Sequence, residues 1–189
     1  MTGQDTSARL ARYLGCLSSV TGSEPSLREV TSVDPGAGRV LAVVCTDVPG
    51  TGYVTGFSYG LSLSGEPAPG GRELVLTVRS RDAGWAMVPA RMVAALCGRH
   101  SFERGRALGH AGRLAEDTAM TSVLLAEPPI RRLTEPLDLG SGDSAPDGLE
   151  IVGVYPIYAS ERDLVHAAGF DALWSLDWDR FDPARPPVA

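Results

Sequence analysis

The sequence predicts an α+β fold, in which a single domain contains a mixed, mainly antiparallel β-sheet flanked by α-helices. Segments typical of strands are grouped along the chain and helical patterns are interspersed among them. The regular alternation of strand and helix that builds a parallel sheet is absent, as is any internal repeat. The 189 residues suit one domain, and 43% of them are hydrophobic, so a core can form without disulfides or metal.

The first half of the chain predicts one helix followed by three strands. Apolar residues at helical spacing indicate an amphipathic helix over residues 7–17. Residues 22–32 are ambiguous and permit a short helix. The compact apolar run 40–46 predicts a buried strand, and segments 53–63 and 73–79 predict an antiparallel hairpin with a long Gly- and Pro-rich tip. Glycines inside the first hairpin strand indicate a bulge or a close backbone approach.

The second half predicts further helices and strands separated by turn signals. A helix begins near Pro89 and ends at Gly98 or Gly105, and a strand follows over 122–126. A polar surface loop over 139–148 precedes a strand over 151–155, which Pro156 closes. A capping box of Ser160 and Asp163 opens the next helix, and Asp171 caps a short last helix.

Composition excludes several classes of function. The net charge of −6 and the pI of about 5.0 argue against a nucleic-acid-binding protein, which carries excess basic residues. The chain has 17 arginines and no lysine, so it has neither a Schiff-base amine nor a phosphate-loop lysine. The sequence contains no run of about 20 apolar residues, the length that a membrane span requires. Its first residues lack the pattern of a secretory signal peptide.

The three cysteines predict neither a disulfide framework nor a zinc site. Cys16, Cys45 and Cys97 are widely spaced, and no Cys-x-x-Cys or Cys/His cluster is present. Each lies in an apolar stretch, which favours buried thiols. We therefore expect a cytoplasmic protein without a cofactor or metal.

One motif suggests catalysis, since residues 56–60 match the Gly-x-Ser-x-Gly pattern of a nucleophilic serine. In hydrolases this serine lies on a turn between a strand and a helix. Here the following residues, 61–67, cannot form a helix, and Asp163 and His166 fall on one predicted helix turn. A Gly-punctuated strand is the favoured interpretation, and a small hydrolase that uses Ser58 with His110 or His166 as base remains the alternative.

The other polar and aromatic residues have mainly structural interpretations. His100 and His166 suit helix C-termini, and His110 lies in a loop without an evident acidic partner. The acidic residues of the last third are interpreted as helix caps and a solvated face. Trp174 and Trp178, four residues apart, are interpreted as one helix face packed on the core.

Five segments taken in order resemble the suppressor-of-fused (SUFU) domain. They are residues 55–62 (TGFSYGLS), 73–76 (ELVL), 109–110 (GH), 155–161 (YPIYASE) and 182–186 (DPARP). On this resemblance the chain divides into an N-terminal helix and linker, 1–24, and a suppressor-of-fused-like domain, 25–187.

The resemblance implies a mixed α/β domain without known catalytic activity. Animal members of the family sequester a transcription factor by gripping a short peptide as an added strand, and bacterial single-domain members look like immunity proteins paired with secreted toxins. The matched positions are interpreted as binding or fold-determining residues; from the matched segments and their neighbours, the candidates are Ser58, Tyr59, Glu73, His110, Tyr158, Glu161 and Arg185. Pairing of Arg185 with Glu73 or Glu161 would hold the tail in place.

The sequence therefore predicts a non-catalytic protein-binding domain. Its partner is another protein, either a toxin that it neutralises as an immunity protein or a peptide segment, and neither a nucleic acid nor a membrane. The acidic charge suits a basic toxin. The alternative within the same class is an accessory protein of a biosynthetic cluster that binds a peptide or an enzyme. The sequence leaves the oligomeric state and the binding face open.

Overall fold

A computed structural model describes residues 3–31, 39–64, 71–110, 112–140 and 148–189. Within them the helices are α1 (Gly3–Thr21), α2 (Val88–Leu96), α3 (Ala159–Ala168) and α4 (Phe170–Trp174). The strands are β1 (Ser26–Val30), β2 (Val40–Thr46), β3 (Val54–Tyr59), β4 (Arg72–Val78), β5 (Ala107–Gly109), β6 (Ser122–Ala126), β7 (Leu137–Asp138) and β8 (Gly148–Ile157). Short 3-10 turns cover Leu61–Leu63, Trp85–Met87 and Arg131–Leu133.

The strands form one mixed sheet in the order β1-β2-β3-β4-β8-β6-β5, with β7 paired to the start of β8. Every described pairing is antiparallel except that of β4 with β8. The long strand β8 joins the two halves of the sheet, since Glu150 to Gly153 pair with β4 and Gly153 to Ile157 pair with β6. The predicted α+β class with a mainly antiparallel sheet is confirmed.

Side chains from the central strands are buried on both faces of the sheet. In β2, Val40, Ala42 and Val44 belong to the core cluster under α2. The alternate residues Leu41, Val43 and Cys45 belong to the cluster under α1. Because both faces are covered, β2 is a continuous apolar run with no polar alternation, and its predicted bounds, 40–46, are confirmed.

The predicted hairpin exists as β3 and β4, paired antiparallel with Val54 opposite Val78. Its first strand is shorter than predicted, because the chain leaves β3 after Tyr59 and forms the 3-10 turn Leu61–Leu63. Gly60, with φ of 139°, makes the change of direction. Residues 65–70 of the predicted tip lie outside the described residues.

Glycine at position 56 permits the close backbone approach that the sequence indicates. A Cβ atom built there would overlap the backbone of Ala86, in the turn before α2. The turn therefore packs directly against the middle of β3, and α2 follows it onto the sheet.

Each helix predicted from the sequence is present, but its ends or its cap differ from the prediction. α1 extends beyond the predicted 7–17 at both ends. α2 begins at Val88 with Pro89 in its first turn, and it ends at Leu96, before the predicted Gly98 or Gly105, because the backbone of Cys97 leaves the helical conformation with ψ of 133°. The helix opened by Ser160 begins instead after Tyr158, whose N–H donates to the Glu161 carboxylate at 2.8 Å, so the predicted box of Ser160 and Asp163 is wrong. None of the described helices could cross a membrane.

Three further differences separate prediction and structure. The ambiguous segment 22–32 contains strand β1. Pro156 lies inside β8 opposite Val123, beyond the part paired with β4, where the missing N–H is tolerated. Asp171 lies within α4, whose N-cap is Gly169, because the backbone turns at this glycine with φ of 89°. Of the predicted loop 139–148, residues 141–147 lie outside the described residues.

Gly56→Ala should destabilise the fold, because the added methyl group collides with backbone and not with a movable side chain. We expect the free energy of unfolding to fall by about 3 kcal/mol. The control is Gly15→Ala on the exposed side of α1, where a Cβ meets no atom within 4 Å; it should be neutral or stabilise by up to about 1 kcal/mol. Urea denaturation of both variants measures this, and equal stabilities would contradict the predicted packing.

Candidate functional site

Six of the seven candidate residues lie in two buried clusters. The Glu73 cluster contains Ser58, Tyr59 and Glu73 on strands β3 and β4. The Glu161 cluster contains Tyr158, Glu161 and Arg185, where α3 meets the C-terminal segment. His110 belongs to neither, and lies exposed after β5 with its Nδ1 3.0 Å from the carbonyl oxygen of Gly112.

The Glu73 carboxylate is fully buried and accepts four hydrogen bonds. Ser58 Oγ donates to one oxygen at 2.5 Å. Gly60 N–H, Ser62 N–H and Ser62 Oγ donate to the other at 2.8, 3.1 and 2.8 Å. The turn at Gly60 points these backbone amides at the carboxylate. Burial raises the pKa of Glu73, although the donated hydrogen bonds act in the opposite direction.

The Glu73 cluster also holds α1 on the sheet. Arg9 Nη1 donates to Ser62 Oγ at 2.8 Å, and the Tyr13 hydroxyl donates to the Ser58 carbonyl at 3.0 Å. Tyr59 stacks on Tyr13 with ring centroids 5.5 Å apart. Burial raises the pKa of Tyr13 well above its usual range, so this hydroxyl stays neutral and remains a donor.

Ser58 is not arranged as a nucleophile. Its side chain is fully buried near the end of β3, and Oγ accepts from Leu74 N–H at 2.9 Å while it donates to Glu73. Neither histidine proposed as a base is hydrogen-bonded to it, since His110 contacts its own loop and His166 Nε2 donates to the Ala107 carbonyl at 3.0 Å. The geometry gives Ser58 the role of a fixed hydrogen-bonding group between two strands.

Glu161 and Arg185 form a buried, two-pronged ion pair. Arg185 Nη1 and Nη2 donate to the two carboxylate oxygens at 2.6 and 2.7 Å, and the side chains are 5% and 0% exposed. The N–H groups of Tyr158 and Val188 add bonds of 2.8 and 2.9 Å. The predicted pairing of Arg185 with a glutamate is confirmed, and the partner is Glu161.

The rest of the Arg185 side chain is enclosed by aromatic rings. Its guanidinium lies 4.4 Å from the ring centroid of Trp178 and 5.6 Å from that of Tyr158. The Tyr158 hydroxyl donates to the Arg185 carbonyl at 2.6 Å. Although burial alone raises the pKa of Glu161, the hydrogen bonds from Arg185, Tyr158 and Val188 lower it below its usual value. The tail is therefore fastened to the start of α3.

Two smaller predictions about side chains need correction. Trp174 and Trp178 do not share a helix face, because α4 ends at Trp174; they meet edge to face with centroids 6.2 Å apart. Of the cysteines only Cys45 is buried, and burial raises its pKa to about 11, while Cys16 and Cys97 are half-buried. In the described parts of the chain, no three His, Cys, Asp or Glu side chains are grouped to hold a metal ion.

The exposed edge strand β1 is a surface that sequence reasoning missed. Four of its five residues are exposed, and Leu27 keeps 43% of its surface in water. At the opposite edge of the sheet, the Ala107 carbonyl of β5 already accepts a hydrogen bond from His166 of α3. The polar sequence SLREV gave no burial pattern from which an edge strand could be recognised.

Arg185→Met should lower the free energy of unfolding by about 3–5 kcal/mol at pH 7, because it leaves the buried Glu161 carboxylate without its partner. The control is Arg79→Met, which removes an exposed ion pair with Asp179 and should leave the unfolding midpoint nearly unchanged.

The same pair predicts a dependence on pH. The folded-state pKa of Glu161 lies below its ordinary value of 4.5, so its stabilisation is present above pH 4.5 and is lost as the pH falls through the folded-state pKa. The difference in unfolding free energy between wild type and Arg185→Met should therefore shrink on acidification. Urea denaturation at a series of pH values measures it, and a constant difference would contradict this assignment.

Comparison with known proteins identifies the family. The model of the family described as "Suppressor of fused protein (SUFU)" matches residues 38–186. A SUFU homologue from Neisseria gonorrhoeae FA 1090 has a similar structure, with a TM-score of 0.67 and 13% identity, over 99% of this chain and 98% of that one.

A chain in the crystal structure of the Sufu–Fu complex is similar over 94% of this chain and 90% of its own length, with a TM-score of 0.63 and 14% identity. No match was found among curated proteins. At such identities the solved structures establish the fold, and the match to the family model over most of the chain establishes membership: this protein belongs to the suppressor-of-fused family.

Proposed function

We propose that this chain is a non-catalytic domain that binds another protein. The observation that carries the proposal is what the polar residues of the family-matched segments do in the structure. Ser58, Glu73, Glu161 and Arg185 are all buried, and each is engaged in hydrogen bonds within the fold. Groups that hold strands and tail together are not available to a substrate.

Two further observations support a protein partner. The similar Sufu–Fu structure is itself a complex of two proteins. Strand β1 leaves one edge of the sheet exposed, and an exposed edge can accept an extended segment of a partner through backbone hydrogen bonds.

Within this class we propose the role of a cytoplasmic immunity protein that neutralises a basic toxin. The net charge of −6 favours a basic partner, because complementary charge accelerates association and disfavours wrong partners. The alternative role, an accessory protein of a biosynthetic cluster, uses the same binding capacity, and the identity of the partner distinguishes the two.

Capture of the partner tests this proposal. The tagged protein is incubated with lysate of its source, washed, and eluted in high salt, and the eluted protein is identified, purified and mixed with it. We expect a stoichiometric complex whose association rate falls at least about tenfold between low salt and roughly 0.5 M salt. Co-expression should also suppress the partner's toxicity in cells.

Each other outcome has a defined meaning. A stoichiometric partner that is a biosynthetic enzyme or peptide would replace the immunity role by the accessory role. A basic partner whose toxicity persists on co-expression would contradict neutralisation. Absence of any stoichiometric partner from lysates in which the protein is expressed would contradict protein binding itself.

Ser58→Ala separates the structural role of this serine from the hydrolase alternative. We expect a loss of about 1–3 kcal/mol of unfolding free energy, because the Glu73 carboxylate and Leu74 N–H each lose a buried partner. Ser175→Ala, which removes an exposed hydroxyl, should change stability by less than about 0.5 kcal/mol. A fluorophosphonate probe should label neither wild type nor variant; labelling of wild type that Ser58→Ala abolishes would establish the hydrolase.

A further inference from the structure

An open pocket of about 570 Å³ lies between the start of α2 and the segment that follows β5. Asp82, Gly84 and Arg91 line one side of it, and residues 113–116 line the other. This volume is in the range of sites for small organic ligands and is far larger than a single inorganic ion requires.

The two sides of the pocket are held in place by buried groups. Trp85 is fully buried, and its indole Nε1 donates to the two carboxylate oxygens of Asp117 at 3.1 and 3.4 Å. Leu114 is buried and its N–H donates to the Met120 carbonyl at 3.1 Å. Asp82 Oδ1 accepts from Gly84 N–H at 2.8 Å. The pocket is therefore formed before any ligand arrives.

The charged side chains around the pocket are not neutralised by one another. Within the described residues Arg91, Arg113 and Glu116 have neither a hydrogen bond nor an ion pair from their side chains, although they line the same space. Several other arginines do pair with a carboxylate, among them Arg39, Arg72, Arg79, Arg104, Arg106, Arg162 and Arg185. Among the described residues, two guanidinium groups without a carboxylate partner, one on α2 and one in the segment after β5, thus line the same pocket as the Glu116 carboxylate.

We propose that this pocket binds a short segment of the partner protein in which an acidic residue is followed by a basic one. Arg91 and Arg113 receive the carboxylate, for which the planar guanidinium is well suited, and Glu116 receives the cation. Asp82 and Glu116 repel a multiply charged anion such as phosphate, so the pocket selects a ligand of mixed charge. This inference rests on the proposed function and gives the partner a local charge pattern.

A capped dipeptide tests the pocket without the partner. Acetyl-aspartyl-arginine amide is titrated into ¹⁵N-labelled protein, and the control ligand is acetyl-asparaginyl-arginine amide, which lacks the carboxylate. We expect saturable shifts confined to the amides of residues 82–84, 91 and 113–116, with a Kd on the order of 1 mM. The control ligand should bind at least about tenfold more weakly.

Substitutions assign the contacts. Arg91→Gln and Arg113→Gln should each weaken binding about tenfold, because each removes a charge-assisted contact to the carboxylate. Arg99→Gln, which removes the charge of an exposed arginine just after α2, should leave the affinity unchanged. Thermal unfolding should be the same for all three variants, because the substituted side chains are exposed.

Several results would overturn the inference. They are a lack of saturable shifts up to roughly 20 mM dipeptide, equal binding of the asparaginyl analogue, or an equal loss in the Arg99→Gln variant. If the dipeptide fails while a protein partner is still captured, the pocket assignment alone is wrong and the proposed function stands. If the dipeptide binds and no partner is captured, the preference of the pocket for a ligand of mixed charge stands, but its assignment to a partner protein is contradicted together with the proposed function.

Discussion

Removing a carboxylate from water is costly, and this cost constrains the whole arrangement of the chain. Glu73 and Glu161 are both fully buried. An ionised carboxylate is stable there only if donors surround it. For Glu73 the donors come from the end of β3 and the turn after it, and for Glu161 they come from the start of α3 and the tail. Each carboxylate therefore requires segments that are distant in sequence to meet at one point.

The two clusters extend this requirement to the layers that cover the sheet. Ser62 accepts a hydrogen bond from Arg9 while it donates to Glu73, so the buried carboxylate is linked to the docking of α1. Arg185 links Glu161 to Trp178, and so the last residues cover the aromatic cluster under α3 and α4. Helix α1 is held on the sheet by the buried side chains of Tyr13 and Leu17 and also by these polar contacts, and the tail is held by the ion pair of Arg185 with Glu161.

The sequence predicts an element when the pattern of its side chains is sufficient to identify it. It does not predict an arrangement that depends on where backbone N–H groups point. β2 was predicted to its ends because burial on both faces makes it uniformly apolar. The Glu161–Arg185 pair followed from the family resemblance. The cluster around Glu73 did not, since half of its donors are backbone N–H groups oriented by Gly60. The pocket beside α2 was also missed, because its charges come from segments that only the tertiary fold brings together.

The same guanidinium chemistry applies to a buried arginine of this domain and to two arginines on its surface. At Glu161 the planar guanidinium binds both carboxylate oxygens and stacks on Trp178, a combination that an ammonium group cannot provide. Inside the fold this geometry is satisfied by the chain's own glutamate. At Arg91 and Arg113 the same group lines an open pocket, and neither side chain forms an ion pair with a carboxylate of the described residues. Arg91 and Arg113 are exposed, so in the proposed interaction a ligand carboxylate can form with them the charge-assisted contact that Arg185 already makes with Glu161.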